Sequence, residues 1–133
     1  MIRASTHQEI GVLCNRTGLV PTPYMKGISL ISENRILAVA GYDRWTDNCV
    51  EMHIWADFLI PGFVRAAFEY PFIQAGKGLV IGVIAGNNVA ALSFTQRLGF
   101  EVKYVIKDGN AVGVDLVLQE MRKENCRWIR RLN

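Results

Sequence analysis

Residues 50–56 alternate Val50, Met52, Ile54 and Ala56 with Glu51, His53 and Trp55. A two-residue period of this kind predicts a strand with two chemically different faces. Leu79–Ala85 is apolar throughout, as expected of a central strand covered on both sides. Between them, Val64, Ala67, Phe68, Phe72 and Ala75 recur at helical spacing over residues 63–75. Pro71 lies inside that helix and, lacking an N–H, is expected to kink it before Gly76-Lys77-Gly78 ends it.

The flanking segments extend the pattern. Residues 2–5 read as a short strand, and residues 7–16 as a helix with Ile10, Leu13 and Cys14 on one face and Thr6 as N-cap. Pro21 and Pro23 stiffen the loop that follows. Residues 24–32 and 35–42 form a hairpin turned at Glu33-Asn34. After the apolar strand, Asn87-Asn88 caps a helix carrying Ala91, Leu92, Thr95 and Leu98, which stops at Gly99. Strands over 101–107 and 111–118, joined at Asp108-Gly109-Asn110, and a short terminal helix over 119–131 complete the reading. The order β-α-ββ-β-α-β-α-β-β is that of a single α+β domain spanning residues 1–133.

An apolar strand, an Asn-rich turn, a helix with Ala91 one turn in and a Gly99-Phe100 stop resemble the second half of the acetyl-coenzyme A site of the GNAT superfamily of N-acyltransferases. The order of elements is similar along nearly the whole chain, and Gly76 stands where that family commonly ends its third helix. Tyr70-Pro71-Phe72, Met121-Arg122 and Cys126-Arg127-Trp128 look like a subset of small GNAT-like proteins of tailed phages and prophages. The resemblance implies a mixed sheet of six to seven strands flanked by helices. Its fourth and fifth strands would splay apart to admit the pantetheine arm of acetyl-CoA as co-substrate. It further implies that amides near Trp55 and Ala56 hold the thioester carbonyl, that Gly62, Phe63 and Arg65 lie at the pyrophosphate, and that Asn88 and Ala91 face the cofactor arm.

Two departures bear on this. The family's pyrophosphate loop presents successive glycine amides at a helix N-terminus, where phosphate oxygens are well received. Here Asp57-Phe58-Leu59-Ile60-Pro61-Gly62 has one glycine, an acidic residue and a proline without an amide; Arg65 is either a compensating cation or a surface arginine. Where many family members place a tyrosine to protonate the leaving thiolate, this chain has Thr95, a poor acid.

Acetyl transfer needs a neutral amine, yet a lysine amine has a pKa of about 10.4 and an α-amine of about 8. A base is therefore required, and Glu51 and His53, on one face of the same strand, are the candidates. The ordinary alternatives are a cross-strand ion pair for Glu51 and a half-buried strand position for His53. Acceptor determinants are expected on the loops over 18–24 and 43–48.

Composition narrows the setting. Half of the 133 residues are apolar and a fifth are charged, as in a compact globule. No apolar run approaches the ~18 residues of a membrane span. Cys14, Cys49 and Cys126 are odd in number and lack metal-ligand spacing, so reduced thiols, no metal and a cytoplasmic location, in a bacterium or a phage-infected host cell, are expected. Residues 1–118 hold ten basic and ten acidic side chains, so the net charge of +3 resides in the last fifteen residues. That basic end reads as a solvated helix end rather than a nucleic-acid surface. The expected function is N-acetyl transfer from acetyl-CoA to a primary amine of a small molecule or protein, with room for a homodimer; the alternative is a catalytically degenerate, GNAT-like binding or phage-associated module.

Overall fold

The computed structural model describes residues 1–129. In chain order the elements are β1 (Ile2–Ala4), α1 (His7–Thr17), β2 (Lys26–Ser32), β3 (Arg35–Asp43), β4 (Cys49–Ala56), α2 (Pro61–Glu69), β5 (Leu79–Ala85), α3 (Val89–Leu98), β6 (Glu101–Ala111) and β7 (Val114–Arg122). They build one seven-stranded sheet in the order β1-β2-β3-β4-β5-β7-β6. Neighbouring strands are antiparallel except β4 and β5, which run parallel and are linked through α2.

The alternation in β4 separates two layers. Val50 and Met52 join Ala38, Ala40 and Tyr42 of β3 in the main core, closed by Phe63, Ala67 and Phe68 of α2 and by Leu98 and Phe100 at the end of α3. The other face of β3 meets α1, and the contact is close. A Cβ built on Gly41 would stand 2.3 Å from Cδ2 of the fully buried Leu13. Helix α1 is fixed at both ends. Thr6 and Glu9 exchange a capping box (3.2 and 3.0 Å), Arg3 grips Glu9 through two bonds of 2.8 and 2.7 Å, and Gly18 closes the helix at φ +73°. The chain entering the 18–24 loop therefore leaves α1 from a set position.

Several boundaries differ from the sequence expectation for local reasons. Strand β2 begins at Lys26, leaving Tyr24 in the loop. The helix expected over 63–75 starts at Pro61 and ends at Glu69. Tyr70–Gln74 then makes a wide turn in which the Ala75 amide donates to Tyr70 five residues back (2.8 Å), accommodating Pro71 without a break. The expected turn at Asp108-Gly109-Asn110 is instead an irregularity within β6, where Asp108 adopts φ 56° and accepts from the Gly113 amide (2.8 Å); the true turn follows Ala111.

The terminal helix expected over 119–131 is not formed as far as residue 129, and residues 130 and 131 lie outside the described residues. Gln119 and Met121 are buried on the two-residue period of β7, which pairs with β5 as far as Arg122, and two short 3-10 turns follow within the described residues. Arg130 and Arg131 of the basic end also lie outside the described residues, whereas Arg127 has a structural task. Arg127 donates to the carbonyls of Arg97 and Leu98, and Trp128 Nε1 donates to Leu98 (2.9 Å), so these side chains cap the C-terminus of α3. No described helix is long and apolar enough to cross a membrane.

Gly41 is the position most sensitive to added volume under α1. Gly41→Ala should lower stability by about 1–3 kcal/mol, because Leu13 is sealed and must leave its rotamer. Denaturant unfolding measures this, and an unchanged midpoint would show that α1 lifts freely from the sheet.

Candidate active site

Strands β4 and β5 pair only at Cys49 with Leu79, Val50 with Val80 and Glu51 with Ile81. Beyond Glu51 they part. β4 stays paired with β3 as far as Ala56, and β5 with β7 as far as Ala85. Successive residues direct their backbone groups to opposite edges of a strand, so alternate N–H and C=O groups of β4 after Glu51 face the gap without a strand partner. The gap opens into a cavity of about 390 Å³ lined by Met52, His53 and Ile54 of β4, Gly82 to Ala85 of β5, Asn88, Ala91, Phe94 and Thr95 at α3, and Thr17 to Leu19 after α1.

At the head of α3, Asn88 Oδ1 accepts from the Ala91 amide (3.2 Å), as its position in the sequence implies. Asn88 thus caps the helix and lines the cavity. Thr95 also lines it, but its hydroxyl donates to Leu92 O (3.1 Å).

The polar face of β4 looks the other way, toward the loops. Asp43 at the end of β3 pairs in register with Glu51, and Gly41 with His53. His53 Nε2 lies 2.8 Å from Asp43 Oδ1 and 3.2 Å from Glu51 Oε2, and the Arg44 guanidinium lies 3.1 Å from Glu51 Oε1. Both carboxylates address the same ring nitrogen. That arrangement sets neutral His53 with its proton on Nε2 and its lone pair on Nδ1, which accepts no hydrogen bond among the described residues. Burial pushes the Glu51 carboxyl above the ordinary glutamate range; the His53 and Arg44 charges oppose this, and Asp43 adds to it.

These residues line a second cavity of about 550 Å³, walled by Leu19, Val20, Thr22 and Tyr24 on one side and by Asp43, Arg44, Trp45, Glu51 and His53 on the other. His53 and Leu19 belong to both cavities. Asp43, Glu51 and His53 bring three ligand-type atoms within 4.8 Å of one another. The Arg44 cation beside Glu51 works against a metal ion there, and the set is one Asp43–His53 hydrogen bond flanked by close charge pairs through Glu51.

The residues named from the sequence thus fall into three places. Glu51 and His53 share the second cavity; His53, Asn88 and Ala91 share the cleft. Trp55, Ala56, Gly62, Phe63 and Arg65 line neither. Trp55 sits under the Arg16 guanidinium (5.2 Å), and Ala56 packs against the main core. Phe63 is buried, and its amide, like that of Val64, bonds back to Ile60 O (3.0 and 3.2 Å). Gly62 and Arg65 are exposed on α2. With Pro61 lacking an N–H, Gly62 has the one uncommitted amide among residues 61–64.

No protein-family model matches the sequence, and neither does any curated protein. The fold does have counterparts. A mutant form of the spermidine N-acetyltransferase SpeG from Vibrio cholerae superposes with a TM-score of 0.78 at 10% identity, covering 98% of this chain and 96% of that one. The Campylobacter jejuni N-acetyltransferase PseH, solved in complex with acetyl coenzyme A, gives 0.67 at 13% identity over 92% of this chain and 99% of that one. The ribosomal-protein-alanine N-acetyltransferase from Brucella melitensis gives 0.66 at 14% identity, with 92% and 99% covered. The fold is that of the GNAT acetyltransferases. The order of elements and the parted central pair are as the family resemblance implied; Asp43 and Arg44 fall in the 43–48 segment where acceptor determinants were expected, and they join Glu51 and His53 through the register of β3 with β4.

Glu51 gives a pH signature. Because the folded state raises its pKa, its favourable contribution is complete below the unfolded value of about 4.3 and disappears as pH rises through the folded value. Glu51→Gln should therefore gain thermal stability relative to the parent as pH climbs from about 4 toward neutrality. A difference independent of pH, in paired melting curves, would contradict the burial argument. A second measurement concerns Asn88. Asn88→Ala should cost about 1 kcal/mol through the lost cap, seen in denaturant unfolding.

Proposed function

We propose that the protein is an N-acetyltransferase that moves an acetyl group from acetyl-CoA to a primary amine. One observation carries this reading: a single imidazole, His53, lines both the cleft between the parted strands and the polar cavity beside it. An acyl thioester entering from one side and an amine from the other would meet at that side chain.

The open edge of β4 beyond Glu51 suits the amide-bearing pantetheine arm, and Asn88 and Ala91 form the opposite wall. Bound there, acetyl-CoA would supply an electrophilic thioester carbonyl. His53 Nδ1 takes a proton from the incoming ammonium, while Asp43 and Glu51 stabilise the resulting imidazolium through Nε2. The amine nitrogen bonds to the carbonyl carbon and gives its second proton to water, the C–S bond breaks, and the thiolate takes up a proton from that water. Thr95 is no proton donor in this scheme, because its hydroxyl is engaged with Leu92 O. Most of the acceleration would come from alignment and from β4 amides aimed at the carbonyl oxygen.

A second reading is favoured by the start of α2, whose scarcity of free amides offers little to a pyrophosphate. On that reading the chain is a non-catalytic module, of the phage-associated kind to which parts of the sequence bear resemblance. Calorimetric titration of acetyl-CoA separates the two: binding supports the enzyme, and none at millimolar concentration supports the module. For the enzyme, His53→Gln should lower turnover by about 10²-fold or more and alter the pH profile while leaving cofactor affinity intact. Acetylation at parental rates in that variant would remove His53 as the base.

A further inference from the structure

The second cavity holds two carboxylates and one guanidinium, and their accessibility differs sharply. The side chains of Asp43 and Glu51 are 13% and 10% exposed, and both are turned onto His53, whereas Arg44 is 77% exposed. Of these charges, the one most accessible to an entering molecule is therefore the Arg44 guanidinium. The Arg44 guanidinium has an ion pair with Glu51 but makes no hydrogen bond to any described residue. Its five N–H donors form a planar fork that matches a carboxylate in bidentate fashion.

Arg44 is also held in a conformation that L side chains rarely adopt, with φ at 51°. The chain around it is tied down on both sides. Trp45 Nε1 donates to Tyr24 O (3.2 Å), joining the two loops that wall the cavity, and Lys77 Nζ donates to the carbonyls of Thr46 (2.7 Å) and Asp47 (3.2 Å). Glu51 sets the spacing of the two working groups, since one carboxylate oxygen faces Arg44 and the other faces His53. Arg44 and His53 line the same cavity, so a single ligand can reach both.

Resting on the acetyltransferase reading above, we infer that Arg44 anchors a carboxylate on the acceptor, so that the acceptor is a free amino acid whose amine lies at His53. The SpeG proteins that share the fold are spermidine acetyltransferases, by name. A polyamine has no anion to place on the exposed guanidinium.

Amino acids, their matching carboxamides and 1,4-diaminobutane are each titrated into the full-length protein with CoA present, and the same set is assayed for acetylation. At least one amino acid should bind about tenfold or more tightly than its carboxamide, because the amide cannot accept the paired charged hydrogen bonds. Arg44→Gly relieves the left-handed strain, so it should melt no lower than the parent yet lose this preference; in the acetylation assay its loss should fall on KM rather than kcat. Arg44→Lys should keep part of the preference. Equal binding of acid and amide, a preference for diaminobutane, failure of every amino acid to bind at millimolar concentration, or selectivity that survives Arg44→Gly would overturn the assignment. Acetylation of diaminobutane with no amino acid accepted would overturn it while leaving acetyl transfer intact. Amino-acid selectivity without acetyl transfer would keep Arg44 as the anchor and remove the enzymatic reading.

Discussion

The structure turns on the last hydrogen-bonded step between the two parallel strands, Glu51 opposite Ile81. Up to that point the sheet is continuous and the apolar residues of β4 and β5 close the core beneath it. Past it each strand remains committed to its outer neighbour, β4 to β3 and β5 to β7, and the space between them cannot close. Backbone groups left without a strand partner are costly when dry, so on the proposed reading the edge of β4 would pair with an extended chain that carries its own amides. The cleft is therefore a property of topology, and no particular side chain is needed to hold it open.

Glu51 is also where the polar groups of the proposed site meet. Its backbone completes the strand pairing, while its side chain lies between Arg44 and His53 on the opposite face from the core. Desolvation, with the nearby Asp43, disfavours its charge, and the neighbouring His53 and Arg44 oppose that penalty. One buried carboxylate thus couples three things: where the strands part, how the imidazole is oriented and where the guanidinium stands. Asp43 adds a neutral–charged hydrogen bond on the same ring nitrogen, which makes Nδ1 the basic atom.

The sequence carried the fold well, because strand order, helix faces and caps are written locally. Thr6, Gly18, Asn88 and Gly99 all cap where their chemistry places them, and the Glu33-Asn34 turn has positive φ at both residues. It failed at its end, where the helix expected from residue 119 gives way to β7 as far as Arg122, with the polar Gln119 fully buried on that strand. The site was half legible. Glu51 and His53 declared themselves through alternation within one strand, but Asp43 and Arg44 reach them only across the hairpin register, which no local pattern encodes. The α2 start was legible in its weakness: Pro61 lacks an amide by its nature, and the bonds from Phe63 and Val64 to Ile60 use two more.

That asymmetry bears on how such a site would divide its binding energy. A cleft made of backbone can accept the arm of a thioester without any conserved side chain, whereas a nucleotide pyrophosphate needs concentrated positive potential that α2 supplies sparingly. Affinity for the donor would then rest on the arm and on the wall at α3. Selectivity would rest on the loop cavity, where the charged groups are held by bonds between Trp45 and Tyr24 and between Lys77 and the 46–47 carbonyls. Rigid walls matter there, because a base contributes only when the acceptor amine is held within hydrogen-bond reach of it. The closely packed α1, seated on Gly41 and ending at Gly18, is what delivers one of those walls to its place.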